Sequence, residues 1–173
     1  MTKRLRFQAA PPETLLRVEL WSGTAAVSAR FEAAYGLALP GAGRAASFDA
    51  RRIIWREPGA WMVRAARAER DALLERLSQI AASDGAVTDI SGAAARCRLE
   101  GQDWRILLTH GGVFDAEAPA FGPGCVAGTV VEHMAVRFDV ISESEVDAYV
   151  APSYAPDLFA YWSSVARGLD VRG

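Results

Sequence analysis

The sequence predicts an α+β fold in which a β-α-β-β-β-α pattern occurs twice, the two halves sharing a core. Three observations carry this. Short segments alternate apolar and polar residues with period two, as half-buried strands do. Other segments place apolar residues three and four apart, as amphipathic helices do. A shift of about 85 residues lays the first set of segments on the second.

In order, Leu16, Val18 and Leu20 alternate and predict a strand, and Val27, Phe31 and Ala34 follow at helical spacing. Arg52-Ile53-Ile54-Trp55 and Ala60-Trp61-Met62-Val63 read as two further strands, then Leu73, Leu77 and Ile80 as a helix. The second half opens with a strand bearing Cys97 and Leu99 and a helix bearing Trp104, Leu107 and Leu108. From Phe121 to Trp162 come three short strands and a helix. Val136, Phe138 and Val140 alternate with Arg137 and Asp139, which predicts one buried and one wet face. Val146, Ala148 and Val150 repeat the alternation. Leu158, Trp162 and Val165 sit at helical spacing behind a Pro152-Ser153 start signal.

The shift aligns Arg52 to Trp55 with Arg137-Phe138-Asp139-Val140, and brings Ala60 to Val63 near Glu145 to Ala148. It also sets Leu73, Leu77 and Ile80 on Leu158, Trp162 and Val165. The expected organisation is an N-terminal tail over 1–12 and a single domain over 13–173. Its pseudo-repeat halves run from about 13 to 84 and from 85 to 168.

With 51% hydrophobic residues and five tryptophans, 173 residues can bury a substantial interior. No apolar run approaches the ~20 residues of a membrane span. The start, MTKRLRFQAAPPE, has basic residues without an apolar stretch behind them, so a cytoplasmic location is expected. Net charge is −2, which gives no basic stripe for nucleic acid. Lys3, Arg4 and Arg6 read as a solvated tail, and Lys3 is the sole lysine, which argues against Schiff-base chemistry.

No catalytic, cofactor-binding or metal-ligating constellation emerges from the residues. His110 and His133 have no ligand spacing. His110 closes the third helix, where the dipole and free carbonyls favour it, and His133 lies in a turn between strands. Cys97 and Cys125 read as buried thiols, with a disulfide left open because spacing alone does not decide it. Gly41-Ala42-Gly43 and Gly122-Pro123-Gly124 each precede a strand, which makes them turns, since a phosphate cradle needs a helix N-terminus behind its glycines. Asp89-Ile90-Ser91-Gly92 is the most suggestive polar cluster. It could orient a ligand amine or hydroxyl, although Asp and Ser also bond their own backbone in turns. Trp21, Trp55, Trp61, Trp104 and Trp162 lie on separate elements and read mainly as interior or interface residues.

Three segments stand out together: Trp55-Arg56-Glu57-Pro58-Gly59-Ala60-Trp61-Met62-Val63, then Val87-Thr88-Asp89-Ile90-Ser91-Gly92 with Arg96 to Gly101, then Phe121-Gly122-Pro123-Gly124-Cys125 through Thr129 with Ser153 to Trp162. In this order they resemble the gamma subunit family of heterotetrameric sarcosine oxidase. The chain departs from the pattern at Ala151-Pro152-Ser153, where a basic residue often precedes the serine. The resemblance implies an aminomethyltransferase (folate-binding) N-terminal-domain-like fold. It also implies a non-catalytic, stabilising role in the oxidative demethylation of sarcosine to glycine. The implied partners are the larger flavin-bearing alpha and beta subunits and the small delta subunit. FAD, FMN, NAD and tetrahydrofolate would sit on those partners and none on this chain. The alternative is a stand-alone folate-binding protein of one-carbon metabolism. Gly124-Cys125-Val126-Ala127-Gly128 echoes the K-G-C-Y-x-G-Q motif of such proteins without its lysine, tyrosine or glutamine.

Overall fold

Residues 5–112 and 114–170 are described by the computed structural model. The chain divides into two units, Pro12–Gly92 and a second one that joins Ala93–Gly173 to the N-terminal segment ending at Pro11.

The unit Pro12–Gly92 contains β2 (Thr14–Leu20), α1 (Thr24–Tyr35), β3 (Ala45–Phe48), β4 (Arg51–Glu57), β5 (Ala60–Ala65), α2 (Arg70–Ala81) and β6 (Gly85–Asp89). Its sheet runs β3-β4-β5-β2-β6, and its pairings are antiparallel. Leu16 and Val18 alternate onto the same buried cluster as Ile53 and Val63 of the neighbouring strands. Val27 and Phe31 from α1 and Leu73, Leu77 and Ile80 from α2 close that cluster at i, i+4 and i+7 spacing. Burying one such Leu or Phe contributes about 1.5–3 kcal/mol, so these helices are held by packing more than by intrinsic propensity. Helix α1 stops at Gly36, which takes φ 76° and returns its N–H to the Glu32 carbonyl.

The second unit contains β1 (Arg6–Ala9), β7 (Ala95–Glu100), α3 (Trp104–Thr109), β8 (Val126–Val131), β9 (Met134–Ser142), β10 (Glu145–Val150) and α4 (Ala155–Asp170). Its sheet runs β1-β7-β10-β9-β8. Cys97, Leu99, Val136, Phe138, Val140, Val146 and Ala148 form one buried cluster with Trp104, Leu107 and Leu108 of α3 and Leu158 and Trp162 of α4. Pro152 opens the 3-10 turn leading into α4, where its missing N–H costs nothing.

The duplication is visible bond by bond. Both sheets have the same order once β6 is matched with β1, β2 with β7, β5 with β10, β4 with β9 and β3 with β8. Leu20 N–H donates to Gly59 O as Gly101 N–H does to Ser144 O, and Trp55 N–H donates to Arg44 O as Val140 N–H does to Cys125 O. Ile90 N–H donates to Leu15 O as Ala10 N–H does to Arg96 O. The registers match Ile53 with Phe138, an offset of 85, but Ala46 with Ala127, an offset of 81. The β8–β9 hairpin is four residues longer than β3–β4, and that length absorbs the difference.

Two expectations change. The segment 1–12 is not only a tail, because Arg6–Ala9 pairs with β7 from Arg6↔Glu100 to Ala9↔Cys97. Phe7 lies edge-on to Trp162 with centroids 6.3 Å apart. A four-residue strand is too short to carry a period of its own, and it is stabilised by an edge distant in sequence. Lys3 and Arg4 lie outside the described residues. The first half extends to Gly92 rather than residue 84, since β6 pairs with β2 and completes its sheet. Each repeat therefore has a seventh element, a strand, which the second unit takes from the N-terminus. Two clusters of buried apolar residues each draw on a single unit, and Leu15, Ile54, Met62, Val126 and Tyr149 are buried outside both.

Candidate functional site

The densest polar cluster lies in the second unit, across β7, β10 and β9. Register sets Asp147 opposite Arg98 on one side and opposite Asp139 on the other. Arg98 grips the Asp147 carboxylate with two prongs, Nε to Oδ1 at 2.5 Å and Nη2 to Oδ2 at 3.0 Å. Arg96 Nη1 donates to Oδ1 at 2.9 Å, and Arg98 also pairs with Glu145. Asp139 and Asp147 are both 0% exposed. This corrects the reading of a wet face on β9 at Asp139, which is buried, whereas Arg137 is half-buried and Ala135 exposed. Burial pulls the Arg98 pKa down, but the Asp147 bonds and the Asp147 and Glu145 charges outweigh it and leave a net rise. Each Asp147 oxygen accepts from a guanidinium, so the arrangement ties β7 to β10.

A second cluster closes the N-terminus of α1. Gly23 caps the helix at φ 57°, and the Asp84 carboxylate lies where a Cβ on Gly23 would be, with Oδ1 at 2.5 Å. Arg30 Nη2 donates to Asp84 Oδ2 at 2.7 Å and Ser22 Oγ to Oδ1 at 3.1 Å, and these bonds hold the Asp84 pKa below the ordinary carboxylate value. Trp21 beside it is 66% exposed, so it is not a core residue as the spacing suggests; its indole N–H donates to Ser83 O.

The residues singled out in the sequence fall as follows. Asp89 Oδ1 accepts from Ser91 Oγ at 2.6 Å and Ser91 N–H at 2.9 Å, bonds that lower its pKa. Ser91 Oγ in turn accepts from Leu15 N–H at 3.1 Å. The cluster is a side-chain-closed turn that ties β6 to β2. His110 Nδ1–H donates to the Ile106 carbonyl at 2.7 Å at the end of α3. His133 sits in the two-residue β8–β9 turn with its ring edge-on to Tyr154. Gly41–Arg44 and Gly122–Cys125 are turns closed by Arg44 N–H to Gly41 O and Cys125 N–H to Gly122 O. Gly43 at φ 68° and Gly124 at φ 80° take the left-handed position of each.

Cys97 is on β7 and Cys125 just ahead of β8, three strand spacings or roughly 14 Å apart in the sheet. A disulfide needs Cα atoms within about 7 Å, so both remain free thiols. Burial pushes the Cys97 thiol up to about 12, which makes it a poor nucleophile. Among the described residues no group of three or more His, Cys, Asp and Glu is arranged to hold a metal ion. No helix among them is long and apolar enough to cross a membrane.

The sequence reading missed Arg96, Arg98, Asp139 and Asp147 as a set. The signal was charges at alternate strand positions in three segments, but only the register shows that they meet.

Comparison with known proteins bears on both fold and family. Curated proteins give no match. The chain is similar in structure to heterotetrameric sarcosine oxidase from Corynebacterium sp. U-96, solved in complex with pyrrole 2-carboxylate. The TM-score is 0.77 at 21% identity, over 91% of this chain and 80% of that one. It is also similar to glycine cleavage system aminomethyltransferase T from Bartonella henselae. There the TM-score is 0.65 at 14% identity over 92% of this chain, which spans 45% of that protein. These likenesses establish the aminomethyltransferase-like fold expected from the duplicated pattern. The model of the sarcosine oxidase gamma subunit family matches residues 22–167, and the chain belongs to that family.

Proposed function

We propose that this chain is the non-catalytic gamma subunit of a flavin-dependent heterotetrameric sarcosine oxidase. Its task is to stabilise the larger alpha and beta subunits, with the small delta subunit completing the complex in the cytoplasm. FAD, FMN, NAD and tetrahydrofolate reside on those partners, where sarcosine is demethylated to glycine and the one-carbon unit passes to tetrahydrofolate. The observation carrying this reading is the family match over residues 22–167. The polar clusters agree with it: the Asp147, Asp84 and Asp89 carboxylates are engaged by the fold's own donors. Such groups hold strands and turns together and are not poised for acid-base chemistry.

The test is purification of a tagged copy from its native host, followed by mass spectrometry and a visible spectrum. Recovery with larger chains, a flavin absorption band and sarcosine turnover is expected. Recovery alone, colourless, and with micromolar tetrahydrofolate affinity would instead establish a stand-alone folate-binding protein.

A further inference from the structure

Arg56 lies in a bulge. The β4–β5 register shifts between Trp55↔Trp61 and Glu57↔Ala60, so Arg56 has no opposite residue on β5. The half-buried side chain is bonded to no carboxylate among the described residues. Its Nη1 meets the Met62 thioether at 3.8 Å. The adjoining Glu57 gives Oε1 to Arg17 at 2.7 Å, and Arg17 is also paired with Glu19. Burial first, then the Arg17 charge, draws the Arg56 pKa down against the smaller opposing pull of the Glu57 carboxylate.

The second unit shows that the bulge itself does not require a charge. There the register shifts at the matching place, between Ser142↔Glu145 and Val140↔Val146, and the bulged residue is Ile141. Ile141 is half-buried like Arg56. The same backbone feature is thus built once with an apolar side chain and once with a guanidinium that makes no ion pair among the described residues. A half-desolvated cation is a cost to the fold unless something outside the fold repays it.

We propose that Arg56 is a docking contact that receives a carboxylate side chain of a larger subunit of the complex, the guanidinium being neutralised on assembly. Charge complementarity sets the partner's chemistry, because Arg17 and Arg56 lie side by side and, of the two, Arg17 alone makes carboxylate ion pairs among the described residues. The proposal rests on the subunit reading above and adds the residue that anchors it.

The experiment measures binding of the full chain to the purified flavin-bearing subunits for wild type, Arg56→Ile, Arg56→Glu and, as a control, Arg70→Ala. Arg70 is an exposed arginine paired with Asp71. Arg56→Ile copies the bulge of the other unit and is expected to unfold at the wild-type temperature or above. It is expected to weaken subunit binding roughly tenfold or more, Arg56→Glu further, and Arg70→Ala not at all. Wild-type binding by both Arg56 variants would overturn the proposal and leave the subunit reading intact. Failure of the wild-type chain to bind any flavin-bearing subunit would sink both. Two further outcomes would overturn the docking role in favour of another. One is a saturable thermal stabilisation of the free chain by acetate or phosphate that Arg56→Ile abolishes, which marks a small-anion site. The other is a wild-type dimer that Arg56→Ile dissociates, which marks self-association.

Discussion

Arg98 holds Asp147 through two hydrogen bonds, Nε–Oδ1 at 2.5 Å and Nη2–Oδ2 at 3.0 Å, around a carboxylate with no exposed surface. The pair is a cross-strand one, set by the β7–β10 register. Since the carboxylate has left water entirely, its stability depends on these guanidinium donors.

Asp147→Ala therefore leaves Arg96 and Arg98, two apart on β7, without their shared anion, Glu145 remaining beside Arg98. Breaking a buried pair from one side costs about 3–5 kcal/mol. Urea unfolding should show a midpoint shift of that size at constant slope, and a loss below about 1 kcal/mol would mean that water replaces the carboxylate.

Two glycines with the same φ of 76° separate backbone strain from collision. A Cβ on Gly36 meets nothing within 4 Å, whereas on Gly59 it would stand 2.7 Å from the Leu20 carbonyl oxygen. Gly36→Ala should cost about 1–2 kcal/mol, the left-handed penalty alone. Gly59→Ala should cost clearly more, because Leu20 O belongs to a strand that also donates its N–H to Gly59 O. Equal costs in thermal unfolding would show that the turn shifts freely.

Trp104 and Trp162 are both fully buried, but they differ at the indole nitrogen. Trp104 Nε1–H donates to Glu143 O at 2.9 Å, while Trp162 Nε1–H has no acceptor among the described residues. Arg105 also stacks on Trp104, 4.3 Å from the ring centroid. Replacement by Phe removes similar volume at each site, so Trp104→Phe should be the worse by about 1–3 kcal/mol. The reverse order in calorimetry would refute the hydrogen-bond assignment.

The acid limb of stability has identifiable sources. Arg30 and Ser22 lower the Asp84 pKa, and Ser91 lowers that of Asp89. A carboxylate whose pKa is depressed by folding adds stability above its unfolded value, near 4, and loses it as pH falls through the folded value. Stability should thus decline below about pH 4, and Asp84→Asn with Asp89→Asn should flatten that decline while lowering stability at neutral pH. An unchanged slope between roughly pH 4 and pH 2 in the double variant would place the effect elsewhere.

The helices and the longer strands were legible because each carries its own period. Leu73, Leu77 and Ile80 need only one another to define a buried face. Strand β1 was not legible, since Arg6–Ala9 holds one apolar anchor, Phe7, and pairs with residues some ninety positions away. The candidate sites divide the same way. Asp89 and Ser91 close a turn between near neighbours, one of the two possibilities their spacing offered. The wet face expected at Arg137 and Asp139 failed at Asp139, because alternation says which residues share a face and nothing of whether water reaches it.

By itself, then, the sequence determined the α+β class, the doubled pattern, the positions of the four helices and the turn glycines, all of them consequences of local period and backbone sterics. Tertiary structure alone decided what depends on register between distant strands. It lent the second sheet its edge strand from the N-terminus, buried Asp139 and Asp147, and kept Cys97 and Cys125 apart. It also gave one bulge Arg56 where its repeat has Ile141. Register is fixed by the summed packing of whole strands, and no short window of residues contains that sum.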